Sequence, residues 1–143
     1  MARNAARPLS PHLTIWKWGP HMAVSILHRA TGNALAFAGG VLFTWWLIAA
    51  ATSETAYDIF YHLVVAGAPG DNVAAVTNIL ARIVGIGLTW SLFQHLFSGL
   101  RHFVLDTGAG YELKANRRWA ILTMVGSVLL TLLLWSAIFL ARH

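Results

Sequence analysis

Apolar residues come along this chain in long runs that no charge interrupts. Residues 30–53, 83–100 and 119–141 contain no Asp, Glu, Lys or Arg, giving runs of 24, 18 and 23 residues. A helix that crosses a bilayer needs about 20 predominantly apolar residues, and each run is long enough to supply them. A fourth apolar stretch, 59–68, is too short to cross and is expected to lie in the membrane interface. The pattern predicts an all-α membrane protein, a bundle of three transmembrane helices.

Breakers and caps set the expected bounds. Pro8, Pro11 and Pro20 each block helix propagation, so residues 1–20 read as an irregular cytoplasmic arm, with Trp16 and Trp18 at headgroup level. Residues 21–143 then form a single three-helix transmembrane domain. The first helix is expected to start near His21 and enter the bilayer beyond Gly32, with its span over 33–51. Residues 52–72 connect it to the second helix on the outer side. Pro69-Gly70 breaks the chain there, and Asp71-Asn72 can cap a helix over 72–105 whose span is 83–100. Thr107-Gly108-Ala109-Gly110 ends that helix, and a third span follows over 118–140. Gly39-Gly40, Gly85 and Gly87 are expected to allow close helix packing.

Composition sharpens this reading. Hydrophobic residues make up 57% of the 143 and charged residues only 10%, where a soluble domain carries about 25% charge. The absence of cysteine excludes disulfides, thiolate chemistry and Cys-ligated clusters. The net charge of +5 does not signal nucleic acid, because the basic residues flank the apolar runs instead of forming a patch with interleaved aromatics. Eight of the ten basic residues (Arg3, Arg7, Lys17, Arg29, Arg101, Lys114, Arg117 and Arg118) fall on one side of the three spans. Only Arg82 and Arg142 fall on the other. The positive-inside rule therefore places the N-terminus and the second loop in the cytoplasm, or in the matrix of an organelle.

Polar residues in or beside a span are candidates for function, because they are costly there. Two clusters stand out. In Ser25-Ile26-Leu27-His28-Arg29-Ala30-Thr31-Gly32, helical spacing puts Ser25, His28 and Arg29 on one face. That face can donate hydrogen bonds to a carbonyl or carboxylate. It equally suits a topology anchor, with Arg29 reaching to lipid phosphates and His28 beside it. In Gln94-His95-Leu96-Phe97-Ser98-Gly99-Leu100-Arg101-His102, His95 lies about 9 Å into the hydrocarbon from Arg101. Gly99 and His102 share its face. A buried neutral imidazole beside a glycine suits haem ligation, and it also suits a hydrogen bond across a helix interface. His95 and His102 are about 10 Å apart along the helix, while trans nitrogens on one iron are about 4 Å apart. One haem would thus need a second ligand from another chain, unless His28 or His21 reaches across. His62 reads as an outer surface residue, and Asp106 as a helix-end cap or a partner of Arg101 or His102.

The motifs Arg7-Pro8-Leu9-Ser10-Pro11-His12-Leu13-Thr14-Ile15-Trp16, Ser25-x2-His28-Arg29-x2-Gly32 and His95-x3-Gly99-Leu100-Arg101-His102-x3-Asp106 occur in that order. The chain resembles the cytochrome b556 subunits of succinate dehydrogenase (complex II). The resemblance implies that the bundle is completed by a second small membrane anchor subunit. It implies that His95 is an axial ligand of haem b, opposite a His of that partner, and that Ser25 and Arg29 line a ubiquinone site. His28, Arg29 and His102 would contact the haem propionates. Flavoprotein and iron–sulfur subunits would dock on the cytoplasmic face, and the quinone pocket would be completed by residues of other subunits. Gln94 stands where several relatives have Tyr, a difference that alters local packing and leaves ligation untouched. The opening motif resembles the mitochondrial and alphaproteobacterial branch, and the lack of a transit peptide points to a bacterial inner membrane. The rival expectation is a cofactor-free membrane anchor or assembly protein whose polar residues only hold helices together. A transporter is disfavoured, for the chain shows no internal repeat and no chain of membrane carboxylates.

Overall fold

A computed structural model describes residues 17–141, and within them the chain is helical with no strand. Residues 1–16 of the expected arm over 1–20, and the two C-terminal residues, lie outside the described residues. The helices are α1 (Pro20–Ala34), α2 (Gly40–Thr52), α3 (Glu54–Val64), α4 (Asn72–Asp106) and α5 (Leu113–Leu140). A single π-helical segment, Leu35–Gly39, joins α1 to α2, so that Pro20–Thr52 is one rod long and apolar enough to cross a membrane. Helices α4 and α5 are the other two such rods. The protein is a multi-pass membrane protein.

Each boundary has a local cause. Pro20 sits at the first helical turn of α1, where its missing N–H costs nothing. No proline follows until Pro69, so the helix that was expected to start near His21 runs without a break from Pro20 to Thr52. Ser53 adopts an extended backbone and its hydroxyl accepts from the Ala56 N–H at 3.1 Å, which starts α3. This helix therefore begins five residues before the apolar stretch at 59–68. Asp71 caps α4, its Oδ1 accepting from the N–H groups of Val73 (2.9 Å) and Ala74 (3.1 Å). The turn into α5 rests on Gly108 and Gly110, whose φ values of 83° and 79° lie in the left-handed region. They reverse the chain so quickly that α5 starts at Leu113, ahead of the expected 118.

The interior is polar and small, while the exterior is apolar. Among the described residues the buried hydrophobic ones are Val24, Ala49, Phe60, Ala74 and Ala120. The buried polar ones are more numerous: Thr31, Asn78, Ser91, Gln94, Ser98, Thr123, Ser127 and Thr131. Leu, Ile, Val and Phe face outwards along α2, α4 and α5. Lipid tails are as apolar as leucine, so helices in a bilayer associate through close packing and hydrogen bonds instead. Most of the buried hydroxyls bond within their own helices: Thr31 donates to Leu27 O at 2.7 Å, Ser98 to Gln94 O at 2.6 Å and Thr131 to Ser127 O at 2.8 Å. Between helices, Ser127 donates to Gln94 Oε1 at 2.8 Å. Gly85 fits its expected packing role, since a Cβ there would sit 3.2 Å from the Trp135 ring. Gly40 and Gly87 do not, because a Cβ at either would meet open space.

Helices α1, α4 and α5 pack on one another, and α3 packs on α2 and α4. Helix α2 touches α3 and the π turn but neither α4 nor α5. One half of the first rod therefore leaves the bundle open.

Candidate functional site

Where α1 crosses α4, two imidazoles meet. The His28 and His95 rings stack with centroids 3.9 Å apart and planes 10° from parallel. His95 Nδ1 lies 3.1 Å from the carbonyl oxygen of His28. A carbonyl only accepts, so in the neutral ring Nδ1 carries the hydrogen and Nε2 keeps a bare lone pair. Thr31 Oγ1 is 3.5 Å from the same nitrogen, its own hydrogen directed to the helix backbone. Gly32 completes the seat: a Cβ at that position would lie 2.9 Å from His95 Cε1. Only a glycine lets the ring approach this closely.

His28 is anchored in the same way. The Ser98 hydroxyl donates to the Gln94 carbonyl, which assigns the Nδ1–H of His28 as the donor to Ser98 Oγ at 2.7 Å. The edge of His102 lies against His28, with centroids 5.6 Å apart. The structure thus brings His28, His95 and His102 together. His28 does reach across to His95, yet it cannot be the opposite ligand of a shared iron in this arrangement. Lone pairs lie in the ring planes, and in face-stacked rings those planes run parallel, so the lone pairs cannot point at each other across the roughly 4 Å that two metal–nitrogen bonds require. His21 stays apart, its ring folded over Gly19.

Ser25 and Arg29 lie on α1 beside this pair, Ser25 half-buried and Arg29 exposed. Neither makes a hydrogen bond or ion pair with another described residue, so both are open to a ligand from outside the chain. Asp106 is exposed at the end of α4 and pairs with neither Arg101 nor His102; Arg101 instead donates to Asn116 Oδ1. His62 is no bystander on the outer surface. Its Nε2 lies 2.8 Å from Asp71 Oδ2, tying α3 to the cap of α4. Thr31, Ser98 and the Gln94–Ser127 pair were not singled out from sequence. For Ser98 and the Gln94–Ser127 pair a signal was available as uncharged polar residues at four-residue spacing, 94 and 98 on α4 and 123, 127 and 131 on α5.

Comparison with known proteins settles the family. Residues 3–134 match the family described as the succinate dehydrogenase/fumarate reductase transmembrane subunit. The chain belongs to that family. Among its relatives, the succinate dehydrogenase cytochrome b556 subunit of Paracoccus denitrificans is 40% identical over 127 residues, covering 89% of this chain and 88% of that one. The corresponding subunit of Rickettsia conorii is 40% identical over 129 residues, with 90% of each chain covered. The mitochondrial cytochrome b560 subunit of Sus scrofa is 33% identical over 135 residues, 94% of this chain and 70% of that one. Transmembrane subunits of this family belong to an enzyme complex with further subunits, and the open flank of α2 is consistent with a bundle that a partner completes.

Proposed function

We propose that this chain is a membrane anchor subunit of a succinate:ubiquinone oxidoreductase, supplying one haem b ligand and part of the quinone-reduction site. His95 is the ligand, through Nε2. The observation that carries the reading is the hydrogen bond from His95 Nδ1 to the His28 carbonyl, which leaves Nε2 as the free donor atom. A backbone carbonyl on the distal nitrogen is the usual support for a metal-bound imidazole, fixing its tautomer and orientation. The donor set fits a haem held between two chains: His95 from this one and a His of a second small membrane subunit. Haem bound there supplies a one-electron carrier whose potential depends on axial ligation and burial. His28, Arg29 and His102 neutralise its propionates.

Ser25 and Arg29 hold the quinone. The Ser25 hydroxyl orients a quinone carbonyl, and the Arg29 guanidinium stabilises negative charge on the quinone oxygen as electrons arrive and before protons do. Such preorganised donors are worth most where water is excluded. Electrons come from succinate through flavoprotein and iron–sulfur subunits docked on the side that carries the N-terminus. By the distribution of basic residues, that side is the cytoplasm or, in an organelle, the matrix.

A second reading has one observation in its favour. Through their Nδ1 atoms the two imidazoles also bond to Ser98 and Thr31 across the α1–α4 crossing, as helix glue in a cofactor-free anchor would. An absorption spectrum of the assembled complex separates the two. His95→Ala is expected to abolish or shift the b-type bands in the reduced-minus-oxidised difference. An unchanged spectrum would remove His95 as the ligand, and a wild-type complex without such bands would favour the anchor.

A further inference from the structure

On the face of α4 turned away from the imidazoles lies a cleft shared with α5. Phe97 is two residues from His95, about 200° around the helix. The cleft has a volume of about 310 Å³ and walls that are almost entirely apolar, among them Phe97, Leu100, Val104, Trp119 and Leu122. Gly126 lets the Phe97 ring close its deep end, since a Cβ there would sit 3.2 Å from that ring. On α5 the lining runs from Asn116 to Gly126, ten residues or about 15 Å along the helix. That is half of a hydrocarbon core of about 30 Å, the depth of one leaflet.

The other end carries a cation. Arg101 lines the cleft beside Asn116, to whose Oδ1 its Nη2 donates. Its Nε is buried and has no hydrogen-bond partner. No carboxylate pairs with it: the ion pair found among the described residues is His62–Asp71. Around the same end Arg101, Lys114, Arg117 and Arg118 outnumber Asp106 and Glu112. A buried guanidinium N–H left unmatched is costly, and the planar guanidinium fork suits phosphate oxygens.

We propose that this cleft binds one anionic phospholipid, with its phosphate on Arg101 and an acyl chain laid along the apolar walls towards Gly126. Basic pockets between transmembrane helices at a membrane surface recognise such headgroups. The chemistry selects a lipid over a neutral quinone tail. An isoprenoid would fill the walls and leave the Arg101 charge uncompensated. The site is separate from the imidazoles and does not depend on the function proposed for them.

The test uses the assembled complex, delipidated in neutral detergent, with native mass spectrometry counting bound phosphatidylglycerol against phosphatidylcholine. The wild type is expected to retain phosphatidylglycerol preferentially. Arg101→Gln removes the cation and is expected to weaken phosphatidylglycerol binding at least about fivefold, the effect of one basic residue at a membrane surface. Val104→Trp blocks the cleft from a position that is 49% exposed, so it fills space without disturbing buried contacts. It is expected to weaken binding as much, and it decides the matter if Arg101→Gln fails to assemble. Equal binding of the two lipids would overturn the proposal, as would phosphatidylglycerol binding untouched by Val104→Trp. Displacement by inorganic phosphate alone would show a free-anion site, and displacement by decylubiquinone a quinone slot; either overturns it.

Discussion

His28 and Arg29 are adjacent in sequence and differ in environment. His28 is turned against α4 and held by Ser98, while Arg29 projects outwards with no partner among the described residues. Removing Arg29 should therefore cost function and little stability. Arg29→Ala is expected to lower quinone reductase activity about a hundredfold, on the scale of losing one preorganised donor to a developing charge. Succinate oxidation with an artificial acceptor should survive. Unchanged quinone reduction would take Arg29 out of the site. That such a cluster existed was legible in the sequence, for Ser25, His28 and Arg29 recur at helical spacing. The stacking of His28 on His95 was not, because it depends on where two helices cross and how each is rotated. Gly32 and Ser98 carry that information, and neither residue type announces it.

The corner between α3 and α4 is built from side chains that replace backbone partners. Asn78 lies two turns into α4, almost fully buried. Its Nδ2 donates to the carbonyls of His62 (2.9 Å) and Leu63 (2.8 Å), and its Oδ1 accepts from the Gly67 N–H at 3.0 Å. The two carbonyls are orphan groups of the end of α3, and the Gly67 N–H belongs to the loop that follows. Asn78→Ala would strand them, at a cost of about 2 kcal/mol, visible as faster amide exchange over residues 62–72. Asp71 adds a dependence on pH. The hydrogen bond with His62, and then those from the backbone N–H groups, hold its carboxyl below the usual carboxylate range. A carboxyl depressed in the folded state stabilises the fold above its unfolded pKa and loses that contribution as pH falls through the folded one. Acid should thus loosen this corner below the ordinary carboxylate range, and Asp71→Asn should flatten that dependence. A melt of the variant that keeps the wild-type acid slope would contradict the assignment. Asp71 was recognisable as a cap from sequence, since Pro69-Gly70 precedes it and an apolar helix follows. The early start of α5 was hidden, because it follows from the two left-handed glycines acting together. The π turn likewise had no mark beyond the Gly39-Gly40 pair.

Taken as a molecule, the chain has its polar seam inside and its apolar surface outside, and the three spans were plain from charge-free runs alone. What those runs do not reveal is which apolar surface meets lipid and which meets protein. The packing divides them: α5 lies along α4 and α1, whereas α2 leans away from both and, among the described helices, packs on α3 alone. Val41 on α2 and Leu133 on α5 are similarly exposed, at 67% and 65%. If a partner completes the bundle along α2, the two should part company on assembly. The chain has no cysteine, so Val41→Cys and Leu133→Cys each give one spin-label site. Oxygen accessibility by electron paramagnetic resonance should be high at both in the isolated chain. In the assembled complex it should fall at residue 41 and persist at residue 133. Persistence at residue 41 would place the partner on another face, and α2 would then be a lipid-facing strut rather than half of an interface.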